Sequence, residues 1–321
     1  MTAPQLRPRA PAPGRMPGDR LERASAARFP AAPTGDRGLH RLWYRLQQRT
    51  LAGTSWPASL ARLLGGQRRL RVVEHEVDLA GPGLPRATLR IGFASDFHAG
   101  PITHPALLAR ACDALAAIRP DLLLLGGDFV SLDASAIGPL AARLGQVPAP
   151  LGRFAVLGNH DYWNGARLVA ERLEASGIRV LRNEAVTLPA PYQGIVLCGL
   201  DDDLAGVPEP LASFAPRGIR LLLMHGPSGL LAADGAPFAL ALCGHTHGGQ
   251  IALPGGRPIL LPPGPLSRRY PAGRYQPGPG RTLIVSRGVG YSTVPVRAFS
   301  PSEVVLCHLR LSGTAGPERS G

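Results

Sequence analysis

The chain has 321 residues and a mass of 33.7 kDa, enough for one large domain or two small ones. Apolar residues make up 45 % of it, which excludes a wholly disordered chain, and no stretch reaches the roughly 18 consecutive apolar residues of a membrane-spanning helix, so an integral membrane protein is not expected. The formal net charge of +13 is placed unevenly: residues 1–71 hold 14 Arg against three acids (Asp19, Glu22, Asp36), and residues 72–321 hold 21 Arg against 19 acids. Any polyanion-binding role thus belongs to the amino-terminal arm, and nucleic acid is not an expected partner of the near-neutral body.

There is no Lys, so every cationic side chain is a guanidinium, which suits phosphate and carboxylate and is also what a GC-rich genome produces. The four cysteines (Cys112, Cys198, Cys243, Cys307) are widely spaced among apolar neighbours and form no Cys-x-x-Cys pair. Neither a disulfide framework nor a zinc ribbon is expected. Free thiols and the lack of a secretory apolar run suggest a cytoplasmic protein, with the inner face of the cytoplasmic membrane as a peripheral location.

Residues 1–37, rich in Arg, Pro and Ala, read as a disordered leader. Residues 38–70 form a separate basic segment: Leu39, Leu42, Trp43 and Leu46 fall at i, i+3, i+4 and i+7, the spacing of an amphipathic helix. Such a helix suits either an anionic membrane surface or the flank of the domain. From 71 to 311 short apolar runs alternate with helical patterns, and 312–321 reads as a flexible tail. The runs Val72–Leu79 and Ala87–Ala94 flank Gly81-Pro82-Gly83 and predict a hairpin. Further strands are expected at Asp121–Leu125, Phe154–Leu157, Ile195–Gly199, Ile219–Met224, Phe238–Cys243, Thr282–Val285 and Val304–Leu309, and helices at His104–Ile118, Ala134–Leu144 and Gly165–Ser176. Leu253–Gly280, crowded with Pro and Gly, reads as an irregular excursion. The fold class is α/β.

Five of the apolar runs end in metal-ligand residue types: Asp96-Phe97-His98, Gly127-Asp128, Gly158-Asn159-His160-Asp161, His225-Gly226 and Gly244-His245-Thr246-His247. In open α/β sheets ligands bind beyond the carboxyl ends of the strands, which gathers these clusters on one edge. The candidate ligands are two carboxylates (Asp96, Asp128), one amide (Asn159) and four imidazoles (His98, His225, His245, His247). Seven donors exceed one tetrahedral zinc and suit two ions sharing a carboxylate. Mixed oxygen and nitrogen donors favour Mn, Fe, Zn or Co over Mg or Ca. Two divalent ions and two Asp leave about +2, matched to a hydroxide and a phosphodiester oxygen. His160, beside Asp161, is the candidate to protonate the leaving oxygen, with Asp161 as the acid that favours its imidazolium.

The ordered set Asp96-x-His98, Gly127-Asp128, Gly158-Asn159-His160-Asp161, His225 and Gly244-His245-x-His247 resembles the calcineurin-like metallophosphoesterases over about residues 88–310. The resemblance implies an αββα four-layer sandwich. It implies that Asp96, His98 and His247 hold one ion, that Asn159, His225 and His245 hold the other, and that Asp128 bridges them. The two divalent ions would be Mn, Fe or Zn, with Mn favoured, and His160 keeps the leaving-group role. Asp161-Tyr162-Trp163, the run His247-Gly248-Gly249-Gln250-Ile251 and Val285-Ser286-Arg287-Gly288-Val289-Gly290 are similar to the bacterial YaeI/YkuE-like branch. That branch implies cleavage of a phosphodiester or pyrophosphate by metal-bound hydroxide in a lipid-linked nucleotide such as UDP-2,3-diacylglucosamine, in lipid A biosynthesis. A phosphodiesterase or phosphatase for soluble nucleotides or phosphoproteins is the alternative, and a non-catalytic scaffold the remote one. The chain departs from the pattern in its basic arm, where many relatives begin with a membrane helix or export signal, and in Phe97, where Leu is usual.

Outside the ligand set, Arg287 is a candidate for substrate phosphate or for an ion pair with the chain's own acids. Tyr162 and Trp163 are candidates to face substrate or to wall the site from water. Asp201-Asp202-Asp203 reads as a solvated turn or as extra charge near the site. His40, His75, His104 and His308 read as structural.

Overall fold

The computed structural model describes residues 46–51, 53–215 and 218–314. The expected leader and the helix around Trp43 lie outside the described residues. Residues 46–51 are helical, and after a break α1 spans Trp56–Leu63. This part of the basic segment packs on the domain: Gln47 Nε2 donates to Thr293 O at 2.7 Å, and Ala58 N to Pro101 O at 3.2 Å.

Two six-stranded mixed sheets form the body. The first orders β1 (Arg71–Pro82), β12 (Glu303–Thr314), β2 (Ala87–Ala94), β3 (Leu122–Leu125), β4 (Arg153–Ala155) and β5 (Arg179–Val180). The second orders β10 (Gly273–Gly278), β11 (Arg281–Val285), β9 (Leu240–Cys243), β8 (Ile219–Leu223), β7 (Ile195–Gly199) and β6 (Glu184–Thr187). β3 consists of four leucines, all buried, as a strand covered on both faces requires. Between the sheets lies one core containing Ile91, Phe93, Leu122 and Leu124 from the first and Leu197, Leu221, Leu223 and Leu242 from the second. Each such side chain, fully withdrawn from water, contributes roughly 1.5–3 kcal/mol.

The outer face of the first sheet carries α2 (Pro105–Ala117), α3 (Ile137–Gly145) and α5 (Ala166–Ala175). In α2 Leu107, Leu108, Ala111, Cys112 and Leu115 make the buried stripe, and His104 is the N-cap, its Nδ1 accepting from Ala106 N at 3.1 Å. The outer face of the second sheet is covered by 3-10 turns at Leu211–Ser213 and Pro227–Ala233 together with Phe214, Phe238 and Tyr270. Four layers are present, the fourth built of 3-10 turns and irregular chain. All four cysteines are free and buried.

The predicted hairpin is corrected. β1 and β2 do not pair; β12 lies between them, parallel to β1 from Arg71↔Glu303 to Pro82↔Thr314 and antiparallel to β2. The turn residues at 81–83 do reverse the chain, but the gap they leave is one strand wide, and only the distant carboxyl-terminal run fills it. β10 also gives regular structure to the end of the excursion that was expected to be irregular. For the site, the decisive feature is that β2, β3 and β4 run parallel to one another, as do β8 and β9. All five motifs therefore leave at carboxyl ends of strands.

Candidate metal centre

The loop after β2 carries Asp96 and His98, that after β3 Asp128, that after β4 Asn159 at the start of α4 (Asn159–Asn164), that after β8 His225, and that after β9 His245 and His247. All seven side chains are buried. Five of them (Asp96, His98, Asp128, His245, His247) have positive φ, between 45° and 70°. Such backbone is sparse for side chains larger than glycine and is tolerated where the surroundings over-determine it, as at functional sites. Two glycines make the close approach possible. A Cβ on Gly158 would lie 2.3 Å from Asp128 Oδ1, and one on Gly244 would lie 2.1 Å from Asp96 Oδ2.

Three groups of potential ligand atoms gather among the described residues: Asp96, His98 and His247; Asp128, His225 and His245; and His98, Asp128 and His160. In the first, His98 Nε2 stands 3.0 Å from His247 Nε2, which is 3.6 Å from Asp96 Oδ1. In the second, His225 Nε2 is 3.1 Å from both Asn159 Oδ1 and His245 Nδ1. Asp128 Oδ2 joins the two, 3.5 Å from His98 Nε2 and 3.4 Å from His225 Nε2. These separations match the edge of about 3.3 Å that donors 2.0–2.1 Å from a tetrahedral ion would have.

Hydrogen bonds behind the ligands fix which atoms can donate electrons. His225 gives its Nδ1–H to Gly126 O at 2.8 Å, and His245 its Nε2–H to Pro263 O at 3.0 Å, so the opposite ring nitrogens turn lone pairs inward. With Asn159 Oδ1 and Asp128 Oδ2, four acceptors converge where a cation satisfies all of them. Asp96 is held by Ser95 Oγ at 2.6 Å and by the amide of His245 at 3.0 Å. Burial pushes the imidazoles of His98 and His247 well below their usual pKa, which keeps them neutral and ligand-ready. Burial alone would raise Asp128, but the charge and hydrogen bond of His225 above all hold its carboxyl well below the usual range; Asp128 in turn raises His225 well above its usual pKa against the effect of burial, so without an ion a proton occupies this position. The donor set thus fits two divalent ions; it does not choose the metal.

His160 is the most exposed imidazole of the centre, at 9 %. Its ring meets His98 edge-on at 4.7 Å and Trp163 at 4.8 Å, and its amide donates to Asp128 Oδ1 at 2.8 Å. Asp161 lies next to it in sequence but turns its carboxylate to the backbone, Oδ2 accepting from Gly158 N at 2.9 Å and Oδ1 from Phe129 N and Val130 N at 2.8 and 3.2 Å. Burial and then Asp128 push it up to about 8. Asp161 therefore stitches the Asn159 loop to the Asp128 loop, while Asp128 is the carboxylate grouped with His160.

The remaining candidates are engaged within the chain. Arg287 Nη1 donates to Glu303 Oε2 at 3.0 Å, and the Tyr162 hydroxyl donates to Asp201. Trp163 is half-buried. The acidic run is not a solvated turn: Asp201 and Asp202 are buried at 4 % and 1 % exposure, Asp201 pairing with Arg182 at 3.1 Å. Asp202 Oδ1 accepts from the amides of Leu204 and Ala205, and burial pushes its carboxyl up to about 7. Arg297 carries no motif signal, yet its guanidinium lies 3.0 Å from His247 Nδ1 and donates to Gly290 O and Arg287 O at 2.6 and 2.8 Å.

The chain as a whole has relatives among known proteins. Residues 89–249 match the family model of calcineurin-like phosphoesterases. The chain is 32 % identical over 255 residues to a metallophosphoesterase of Aquifex aeolicus, covering 76 % of this chain and 93 % of that one. It is 36 % identical over 232 residues to phosphodiesterase YaeI of Escherichia coli, covering 70 % and 83 %, and 34 % identical over 202 residues to metallophosphoesterase YkuE of Bacillus subtilis, covering 60 % and 68 %. The matched span encloses every candidate ligand from Asp96 to His247 on a sandwich of two mixed sheets, and on that ground the chain is a metal-dependent member of the calcineurin-like phosphoesterases.

Proposed function

We propose that the protein hydrolyses a phosphodiester or pyrophosphate bond at a dinuclear centre, in a lipid-linked nucleotide such as UDP-2,3-diacylglucosamine. The observation that carries the reaction type is Asp128 Oδ2, within 3.5 Å of a ligand nitrogen of each metal group. Asp96, His98 and His247 would hold one ion, Asn159, His225 and His245 the other, with Asp128 shared. When bound, two such ions, Mn favoured, acidify a water and draw charge from the phosphate oxygens.

The chain's own residues do the rest. Asp161 and the tight Gly158 contact hold Asn159 and Asp128 in register across two loops. His160, near the ligands but more exposed than any of them, delivers a proton to the leaving oxygen. Trp163 packs beside that ring and shields it from water. Arg287 would reach substrate phosphate only by leaving Glu303, so positive charge at the phosphate comes chiefly from the ions. No helix among the described residues is long and apolar enough to cross a membrane.

The test compares hydrolysis of UDP-2,3-diacylglucosamine with that of a simple aryl phosphodiester, Mn being supplied and an Asn159→Ala, His160→Ala enzyme serving as control. Fast turnover of the lipid nucleotide with weak aryl activity is expected. Aryl cleavage alone would retain the two-metal chemistry and discard the lipid substrate.

A further inference from the structure

α1 is amphipathic in an inverted sense. Its small residues Pro57, Ala58 and Ala61 are buried against the domain, while Trp56, Leu60, Leu63 and Leu64 are exposed, the last two at 75 % and 78 %. Their spacing of i, i+4, i+7 and i+8 makes a single stripe. A helix with only intramolecular contacts would turn these large side chains inward.

The apolar surface continues beyond the helix. Leu64 lines a cleft of about 560 Å³ together with Val296 and Phe299, and Arg68, Arg69 and Arg71 line the same cleft. Gln67 ties the two sides, its Nε2 donating to Pro295 O at 3.1 Å. Next to Phe299 the chain bridges Ala298 to Ile251 and Ala252 to Pro258, which brings up the exposed Ile259 and Leu260. Contiguous exposed apolar side chains of this kind mark an interaction site.

The charge of these segments identifies the partner. No Asp or Glu occurs between Asp36 and Glu74, nor between Asp234 and Glu303. We infer that this face docks on an anionic lipid bilayer, with Leu63, Leu64 and Phe299 entering the boundary between headgroups and acyl chains and Arg68, Arg69 and Arg71 meeting lipid phosphates. A second copy of the chain fits less well, because a two-fold interface would set arginine against arginine with no acid to relieve it.

The face is rooted in the metal centre. Ser300 Oγ donates to His247 O at 2.6 Å, and Gln250 Nε2 lies 2.8–3.0 Å from the carbonyls of Ser292, Val294 and Val296. Docking therefore sets the His247 loop close to the membrane plane. In placing an acyl-bearing substrate there the inference rests on the reading above; the docking itself does not.

The experiment measures partition of the full chain onto vesicles of phosphatidylcholine, alone or mixed with phosphatidylglycerol. Two variants are compared with the natural sequence: Leu64→Ser with Phe299→Ser, and Arg68→Gln with Arg69→Gln and Arg71→Gln. All five positions are exposed, and a thermal midpoint confirms folding of each variant. The apolar variant is expected to bind mixed vesicles about tenfold more weakly, and the arginine variant about a hundredfold more weakly, with little change on neutral vesicles. Aryl phosphodiester hydrolysis in solution should stay unchanged in both. Loss of vesicle binding in a protein that hydrolyses no phosphodiester would support docking while removing the hydrolytic reading. Undiminished binding by both variants would overturn the inference, as would a dimer in vesicle-free solution that either variant converts to monomer.

Discussion

His225 donates its Nδ1 proton to the carbonyl oxygen of Gly126 at 2.8 Å, joining the loop after β8 to the loop after β3. The lone pair on Nε2 is thereby aimed at Asn159 Oδ1, His245 Nδ1 and Asp128 Oδ2, which are themselves acceptors. Without an ion, Asp128 raises the pKa of His225 well above its usual value although burial alone would lower it, and the extra proton stands in for the cation these acceptors otherwise require. The same bond ties the two sheets, since Gly126 follows a strand of the first and His225 a strand of the second. The centre therefore depends on the relative placement of the sheets, which the core between them fixes.

Gly244→Ala tests how tightly the ligand loops are packed. The added Cβ would lie 2.1 Å from both Asp96 Oδ2 and Ser95 Oγ, far inside contact distance. Asp96 must move, and binding of the ion it shares with His98 and His247 should weaken by about 10- to 100-fold or more. Titration of metal-free protein with Mn checks this, and circular dichroism confirms that the sheets remain.

His160→Ala should leave metal content near that of the natural sequence while lowering kcat by about 10²- to 10⁴-fold for a substrate whose leaving group is an alkoxide. A nitrophenyl leaving group, which needs no proton, should lose much less. Equal losses on the two substrates would assign His160 to binding or positioning instead of proton delivery.

Asp202 provides a pH dependence of stability. Burial raises its carboxyl from 3.8 to about 7, so between those values the folded chain holds a proton that the unfolded chain has released. Stability should then fall as pH rises from about 4 to about 7 and level off above that. Asp202→Asn keeps an oxygen for the amides of Leu204 and Ala205 and removes the titration. Denaturation of metal-free protein should find the variant more stable than the natural sequence at pH 8, by on the order of 1–3 kcal/mol, and no more stable at pH 4.

Much of this centre was legible in the sequence because its chemistry is local. The first candidate ligand of each motif comes just after an apolar run, so the runs that became β2, β3, β4, β8 and β9 also marked the edge where Asp96, Asp128, Asn159, His225 and His245 emerge. What was not legible depends on partners far away in the chain. The insertion of β12 between β1 and β2 pairs residues more than 200 positions apart, which no turn signal at 81–83 reports. Arg287 finds Glu303, Tyr162 finds Asp201, and Arg297 reaches His247 from an unremarked loop. Asp161 shows the limit of adjacency: beside His160 in sequence, it spends its oxygens on the amides of Gly158, Phe129 and Val130 because helix α4 begins there. The exposed stripe of α1 was hidden for a related reason, since periodicity reveals a stripe without telling which side faces the domain.

The proposed sharing of Asp128 between two ions is tested most directly by metal content. The protein loaded with Mn and freed of excess should carry two ions per chain by mass spectrometric elemental analysis, and Asp128→Asn should carry one at most, with hydrolysis of an aryl phosphodiester lost in parallel. A single ion in the natural sequence, or two retained by Asp128→Asn, would contradict the dinuclear centre.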